Sequence, residues 1–283
     1  MFDADTSHRT RQSTPKSRRQ AYSWATLLGM PHLAVAGLSE TWFLKEAGHV
    51  HWQLLEEAVG CRSRHWKDVS SARLYASFIA YRIEGRLAAL VGEGDLLDCH
   101  SELAATSRNR FCSRHVLRSA SLPFETTLTM ITTFVRRDGD SNCGFVRTSF
   151  GSSELVDDGF GLIVDELLGT RRQFRRDAVQ VRESATCVSQ FAACPMEDFN
   201  HAGMVYFATF PRYLDRAERG LQPVSPTPLA LPPLVSRSCF YFGNADAGDE
   251  IEAAAVYRGD VVMSQIWSGG SLLCAAETLR RPL

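Results

Sequence analysis

The feature that most constrains this chain is a repeat. Gly48-His-Val-His-Trp-Gln-Leu-Leu-Glu-Glu-Ala reads as a glycine-led apolar helix, and Gly203-Met-Val-Tyr-Phe-Ala-Thr-Phe reads as a second. Each is followed by a Gly-Asp pair that opens an apolar stretch, Gly94-Asp95 in the first case and Gly248-Asp249 in the second. Gly48 and Gly94 are 46 residues apart, Gly203 and Gly248 are 45 apart. One supersecondary unit recurring at near-constant spacing implies two copies of the same structure. The unit implied is a buried helix followed by a strand entered through a tight turn. A curled antiparallel sheet wrapped around one apolar helix has that skeleton, and two in tandem make an α+β chain with a double hot-dog architecture.

The rest of the chain divides accordingly. Residues 1–20 are polar, carry Arg9, Arg11, Lys16, Arg18 and Arg19, and lack the apolar core of a secretory signal; they read as a disordered extension. Residues 21–150 form the first unit. Its strands are expected at Leu74–Ile83, Leu96–Thr106, Phe111–Arg118, Thr126–Arg136 and Gly144–Phe150, where branched and aromatic residues cluster between turn signals. Residues 151–180 carry helical patches with little patterning and read as a crossover. The second unit, 181–283, opens with a strand from Val181 to Phe191. A helix follows that Pro211 should kink, then a stiff connector with prolines at 223, 226, 228, 232 and 233. Four strands complete it, at Ser236–Gly243, Glu250–Tyr257, Val261–Trp267 and Leu272–Leu279.

Composition narrows the partners. With 31 Lys and Arg against 32 Asp and Glu, the chain has no electrostatic pull toward nucleic acid or an anionic membrane. No apolar run is long enough to span a bilayer; the best, Trp24 to Leu38, is broken by Pro31. The eight cysteines form no CxxC pair and most lie in apolar runs, so reduced core thiols in a cytoplasmic protein are expected. The eight histidines show no metal-ligand spacing, and no metal is expected.

The turn Asp198-Phe-Asn-His-Ala-Gly203 before the second helix is the strongest site candidate. The first amides of a helix lack partners within it and can hold developing negative charge, as on a thioester carbonyl under attack. Gly203 would let a ligand approach the backbone, and Asn200 could add a side-chain donor. Capping of the helix by Asp198 and Asn200 is the competing role, and His201 reads as a solvent-facing turn residue. On the Leu74 strand, alternation puts Tyr75, Ser77 and Ile79 on one face and Leu74, Ala76, Phe78 and Ala80 on the other. Gly37-Leu-Ser-Glu-Thr-Trp42 stands before the first helix and could form a second polar wall. Ser77, Ser39, Glu40, Met204 and Asp198 are the expected substrate-binding residues.

Three segments together carry a family resemblance: Asn200-His-Ala-Gly-Met-Val-Tyr-Phe-Ala-Thr-Phe210, Cys239-Phe-Tyr-Phe-Gly-Asn-Ala-Asp246 and Leu74-Tyr-Ala-Ser-Phe78. They resemble the bifunctional acyltransferase/decarboxylases of leinamycin biosynthesis, in the same order from about Met30 to the C-terminus. That family is a double hot-dog. The resemblance implies decarboxylation of a methylmalonyl-CoA thioester and transfer of the propionyl group to the phosphopantetheine of an acyl carrier protein, with no permanently bound cofactor. It implies that Tyr75 is the essential tyrosine and that Asn200 and Gly203 complete the catalytic set. Gly37-Leu-Ser-Glu-Thr departs from the family's pattern before the first helix, which leaves the substrate acid open. The Asp198…Gly203…Tyr206 pattern also resembles single hot-dog thioesterases, in which a carboxylate activates water. A dehydratase-like or non-catalytic hot-dog acting on carrier-bound chains is a third alternative, and a homodimer is compatible with any of them.

Overall fold

The computed structural model describes residues 19–85, 91–148, 158–222 and 231–281. The expectations for residues 1–18 and for most of the proline-rich connector lie outside them. The first half contains β1 (Arg19–Leu27), a small hairpin of β2 (Leu33–Ala34) and β3 (Gly37–Leu38), helix α1 (Glu40–Val59), and strands β4 (Leu74–Glu84), β5 (Leu96–Ser107), β6 (Arg110–Ser119), β7 (Glu125–Arg137) and β8 (Phe145–Arg147). Helices α2 (Gly161–Arg176) and α3 (Ala178–Glu183) lead to the second half. It contains β9 (Cys187–Ala192), the short helix α4 (Pro195–Asp198), helix α5 (Phe210–Gly220), and strands β10 (Leu234–Tyr241), β11 (Glu250–Arg258), β12 (Val261–Ser268) and β13 (Ser271–Arg280).

All strands but β2 and β3 form one antiparallel sheet in the order β1-β5-β6-β7-β4-β10-β13-β12-β11-β9, with β8 beside β7. The two halves join where Ala80–Glu84 of β4 pairs with Ser236–Phe240 of β10. With the β2–β3 hairpin and β8 set aside, each half read outward from that seam has the same order: its second strand, then fifth, fourth, third and first. The sheet curls around α1 in one half and α5 in the other, so the chain is a double hot-dog. The Gly-Asp turns are equivalent devices. Gly94 (φ 86°) and Gly248 (φ 95°) take the left-handed conformation that glycine tolerates. Each following aspartate accepts a hydrogen bond from the backbone N–H three residues earlier, Asp95 from Gly92 at 2.7 Å and Asp249 from Asp246 at 2.8 Å.

The helices are placed differently from the expectation. Gly48 lies in the middle of α1, which starts at Glu40 behind an N-cap by Ser39, whose Oγ accepts from Trp42 N at 3.2 Å. Gly203 opens no helix. It turns a hairpin closed by the Phe199–Val205 bridge, so its counterpart in the first half is Gly37 in the β2–β3 hairpin. A 3₁₀ turn over Phe207–Thr209 intervenes, and Pro211 sits in the first turn of α5, where its missing N–H costs nothing and no kink results. Val181 belongs to α3, and the strand begins only at Cys187. The N-terminal strand β1 was not anticipated; it is an edge strand, mostly half-exposed, so its sequence lacks a clean alternation.

Gly48 is required by packing. A Cβ there would stand 2.7 Å from the ring of Phe207, whose centroid lies 4.1 Å from that of Phe78. Gly48→Ala should therefore destabilise the fold by about 1–3 kcal/mol, as overpacking does, despite alanine's better helix propensity. Urea denaturation would measure it. A stabilised Gly48→Ala protein would mean that the ring yields freely.

Two polar networks run through the core. In the first half, Ser113 Oγ lies between His51 Nδ1 (2.6 Å) and His115 Nε2 (2.8 Å), while His51 Nε2 meets Thr132 Oγ1 (2.9 Å) and His115 Nδ1 meets Ser101 Oγ (2.8 Å). All five are buried, which ties α1 to β5, β6 and β7. Between the halves, the buried Arg237 donates to Glu40 (2.6 Å), Asp215 (2.6 Å), Glu218 (3.0 Å) and Thr278 (3.0 Å). Outside the sheet, Val164, Leu167 and Phe174 of α2 and Val181 of α3 pack on Ala80, Ala104, Ile131 and Phe240. The crossover thus has an apolar stripe at helical spacing. A bulge at Ile79 moves Ala80 onto this outer face, opposite Phe78, against the simple alternation.

Candidate functional site

The site is built where the segment before α5 meets α1. Asn200 organises the hairpin. Its Oδ1 accepts from the N–H groups of Ala202 (2.9 Å) and Met204 (3.2 Å), and its own N–H donates to Met204 O (2.8 Å). This is an Asx turn rather than a helix cap. Its Nδ2 makes no hydrogen bond to a described residue and remains a free donor. Gly203 needs its positive φ of 73° to close the turn. The hairpin is held from the first half: Arg137 donates to Ala202 O (2.6 Å), and Asn142 Nδ2 donates to Gly203 O (2.5 Å) and Ala245 O (2.9 Å). Asn244 clamps Val205 through both its N–H and its carbonyl, at 2.8 and 3.0 Å.

Downstream, the amides of Phe207 and Ala208 head the helical segment and have no acceptor within it. Phe207 is anchored by Tyr241, whose hydroxyl donates to its carbonyl at 2.9 Å. Across from it stand Trp52 of α1 and Phe78 of β4, an apolar wall suited to an acyl chain. Tyr206 packs on Trp52 and Phe207, and burial together with the Glu46 carboxylate pushes its hydroxyl up to about 12. Glu46 is half-buried on the polar stripe Trp42, Glu46, His49 and Gln53 of α1, which lines a cavity of about 150 Å³. Phe207, Ala208 and Glu46 were not singled out from the sequence. The i, i+4, i+7 and i+11 spacing of that stripe is the signal that could have found Glu46.

The other residues read from the sequence occupy three different environments. Tyr75 lies on the outer face of the sheet, edge-on to Phe145 at 6.1 Å with Arg73 over its ring at 5.3 Å. Phe145 in turn lies under Arg137, which donates to Ala202 O of the hairpin. Ser77 shares its half-buried face, opposite Thr133. Asp198 is buried with both oxygens engaged, one by Cys194 N at 2.7 Å and the other by Arg212. Ser39 and Glu40 stand at the far helix N-terminus, one as a cap and the other bound to Arg237 and to the Tyr81 hydroxyl (2.8 Å). Burial pushes the Glu40 carboxyl up, against the pull of Arg237. The structure therefore joins Asn200, Gly203 and Met204 in one turn, leaves Tyr75 and Ser77 on the outer face of β4, and sets Ser39 and Glu40 apart. Among the described residues no three His, Cys, Asp or Glu side chains converge to hold a metal ion, and no helix is long and apolar enough to cross a membrane.

No protein-family profile matches the sequence, and no curated protein is similar to it. Solved structures are similar in fold. A 12:0-ACP thioesterase from Umbellularia californica superposes with a TM-score of 0.63 at 10% identity, over 96% of this chain and 100% of that one. An acyl-ACP thioesterase from Bacteroides thetaiotaomicron gives 0.59 at 8% identity, over 93% and 98%. At these identities the likeness is one of architecture, and it is the double hot-dog over nearly the whole of each chain.

Proposed function

We propose that this chain hydrolyses acyl thioesters carried on coenzyme A or an acyl carrier protein. The observation that carries the reading is the head of the α5 segment, where the orphan amides of Phe207 and Ala208 stand at an apolar wall of Trp52 and Phe78 contributed by the other half. Preorganised donors of this kind stabilise the oxyanion formed when water attacks a thioester carbonyl. Glu46 would take the proton from that water; the carbon–sulfur bond then breaks, leaving a free acid and a thiol. Asp198 is less suited to this task because Arg212 and the Cys194 amide already occupy its oxygens. Water and protein groups suffice, so no permanent cofactor is needed. The likeness to acyl-ACP thioesterases supports the same substrate class.

The test is to incubate the protein with acyl-CoA and acyl-carrier substrates, including methylmalonyl-CoA with a holo carrier protein, and to weigh the products. Free acid and free thiol are expected. A propionyl-loaded carrier with release of carbon dioxide would instead establish the decarboxylative transferase, for which Tyr75 would be indispensable. Tyr75→Phe should leave hydrolysis intact. Asn200→Ala should lower turnover by about ten- to a hundredfold, the modest end for an oxyanion donor because two main-chain amides remain. Unchanged turnover in a folded Asn200→Ala protein would reduce Asn200 to a turn residue.

A further inference from the structure

Pro211 leaves a gap in the hydrogen bonding of the segment that heads α5. The helical donor to the Phe207 carbonyl is the N–H four residues on, and proline has none. A side chain from the seam fills the gap: the Tyr241 hydroxyl donates to Phe207 O at 2.9 Å. That carbonyl belongs to the same peptide as the Ala208 N–H, one of the two orphan amides at the head of the segment. A peptide is planar, and in the trans form its N–H and C=O point in opposite directions; no cis peptide occurs among the described residues. Holding the carbonyl toward Tyr241 therefore fixes the direction of the Ala208 N–H. A hydrogen bond at the oxygen also polarises the amide and strengthens its N–H as a donor.

Tyr241 is itself held on several sides. Arg171 of α2 donates to its carbonyl through Nε at 3.1 Å and Nη2 at 2.6 Å, and its ring stands edge-on to Phe210 at 5.3 Å. Burial pushes its hydroxyl well above the ordinary range, so the group keeps its proton and remains a donor. Three residues on, Asn244 grips the N–H and the carbonyl of Val205. The end of β10 thus fixes the chain on both sides of Tyr206. A buried hydroxyl needs an acceptor of some kind, and Tyr81 shows that this need alone does not select the Phe207 carbonyl. Tyr81 is likewise buried, on the paired strand β4, with its ring 6.2 Å from that of Tyr241. Its hydroxyl donates instead to the Glu40 carboxylate, at the head of α1.

We propose that Tyr241 is a positioning residue for thioester hydrolysis, aiming the Ala208 amide at the oxyanion through the Phe207–Ala208 peptide. The proposal rests on the hydrolase reading above. It is tested with Tyr241→Phe, which keeps the ring and deletes the hydroxyl. Tyr81→Phe is the matched control, because it removes a buried hydroxyl from the other helix head. In protein shown to be folded by near-ultraviolet circular dichroism, Tyr241→Phe should lower kcat about five- to fiftyfold at unchanged KM, part of the roughly hundredfold or more that a whole oxyanion donor is worth. Selective nitrogen-15 alanine labelling of the full chain gives a second readout that needs no turnover. The Ala208 amide resonance should move in Tyr241→Phe and stay in place in Tyr81→Phe. Wild-type kcat in Tyr241→Phe, or an unmoved Ala208 resonance, overturns the proposal. So does an equal loss of kcat in Tyr81→Phe, which would make the effect one of seam stability. If the wild-type chain hydrolyses no thioester, the hydrolase reading falls, and the Ala208 resonance alone decides whether Tyr241 sets that peptide.

Discussion

Arg237→Leu should lower folding stability by about 3–5 kcal/mol, enough to unfold a domain of ordinary stability. The side chain is fully buried and is the common partner of Glu40, Asp215 and Glu218. Its loss leaves the carboxylate of Glu218 without its main counterion in a site removed from water. Arg280 still reaches Glu218 at 3.1 Å, but Glu40 keeps only the Tyr81 hydroxyl. The cost comes from stranding buried charge, so a leucine of adequate volume does not relieve it. Chemical denaturation is the measurement. The control is Arg82→Ala, whose partner Glu166 is mostly exposed and whose loss should cost no more than about 1 kcal/mol. A loss at Arg237 no larger than at Arg82 would show that the cluster admits water. Because Arg237 holds the first turn of α1 against α5, the same variant should loosen the packing of the two halves.

Lowering the pH from 8 to 5 should remove about 4 kcal/mol of stability through His51 and His115 alone. Both rings are buried and neutral. Burial holds His115 down at about 3 and His51 well below its ordinary 6.5, with His115 adding to the latter. The unfolded chain takes up a proton on each histidine near pH 6.5 and the folded chain does not. The stability they supply is therefore intact above that pH and falls as pH drops through 6.5, by about 1.4 kcal/mol per unit for each ring. The slope of unfolding free energy against pH between 6 and 5 should correspond to two protons. His115→Gln should reduce it to one. A flat profile over that interval would mean that the histidines already carry protons in the folded state.

The branched and aromatic run of Leu74–Ile83 was sufficient to place β4, because that strand is central in the sheet, although the bulge at Ile79 breaks the alternation of its faces. Strand β1 was not legible, because an edge strand with a half-wet face carries little alternation. The helix starts were misjudged for a related reason. Glycine marks both a tight turn and a close approach, and Gly203 is the first while Gly48 is the second. Only Phe207, arriving from the other half, shows why residue 48 has no side chain.

Local chemistry by itself determined the two tandem units, their Gly-Asp turns and most strands, since turn preference and alternation act over a few residues. It also marked Asn200 and Gly203, whose turn is closed within five positions. Only the tertiary structure decided what faces them. The Phe207 and Ala208 amides meet α1 because the β4–β10 seam folds one half onto the other. Glu40 meets Arg237 across 197 residues of sequence by the same seam. Tyr75 is sent to the outer face by the pairing of β4 with β7. Such contacts follow from how the sheet curls around its two helices and closes at one pair of strands, and no pattern within a single segment encodes that geometry.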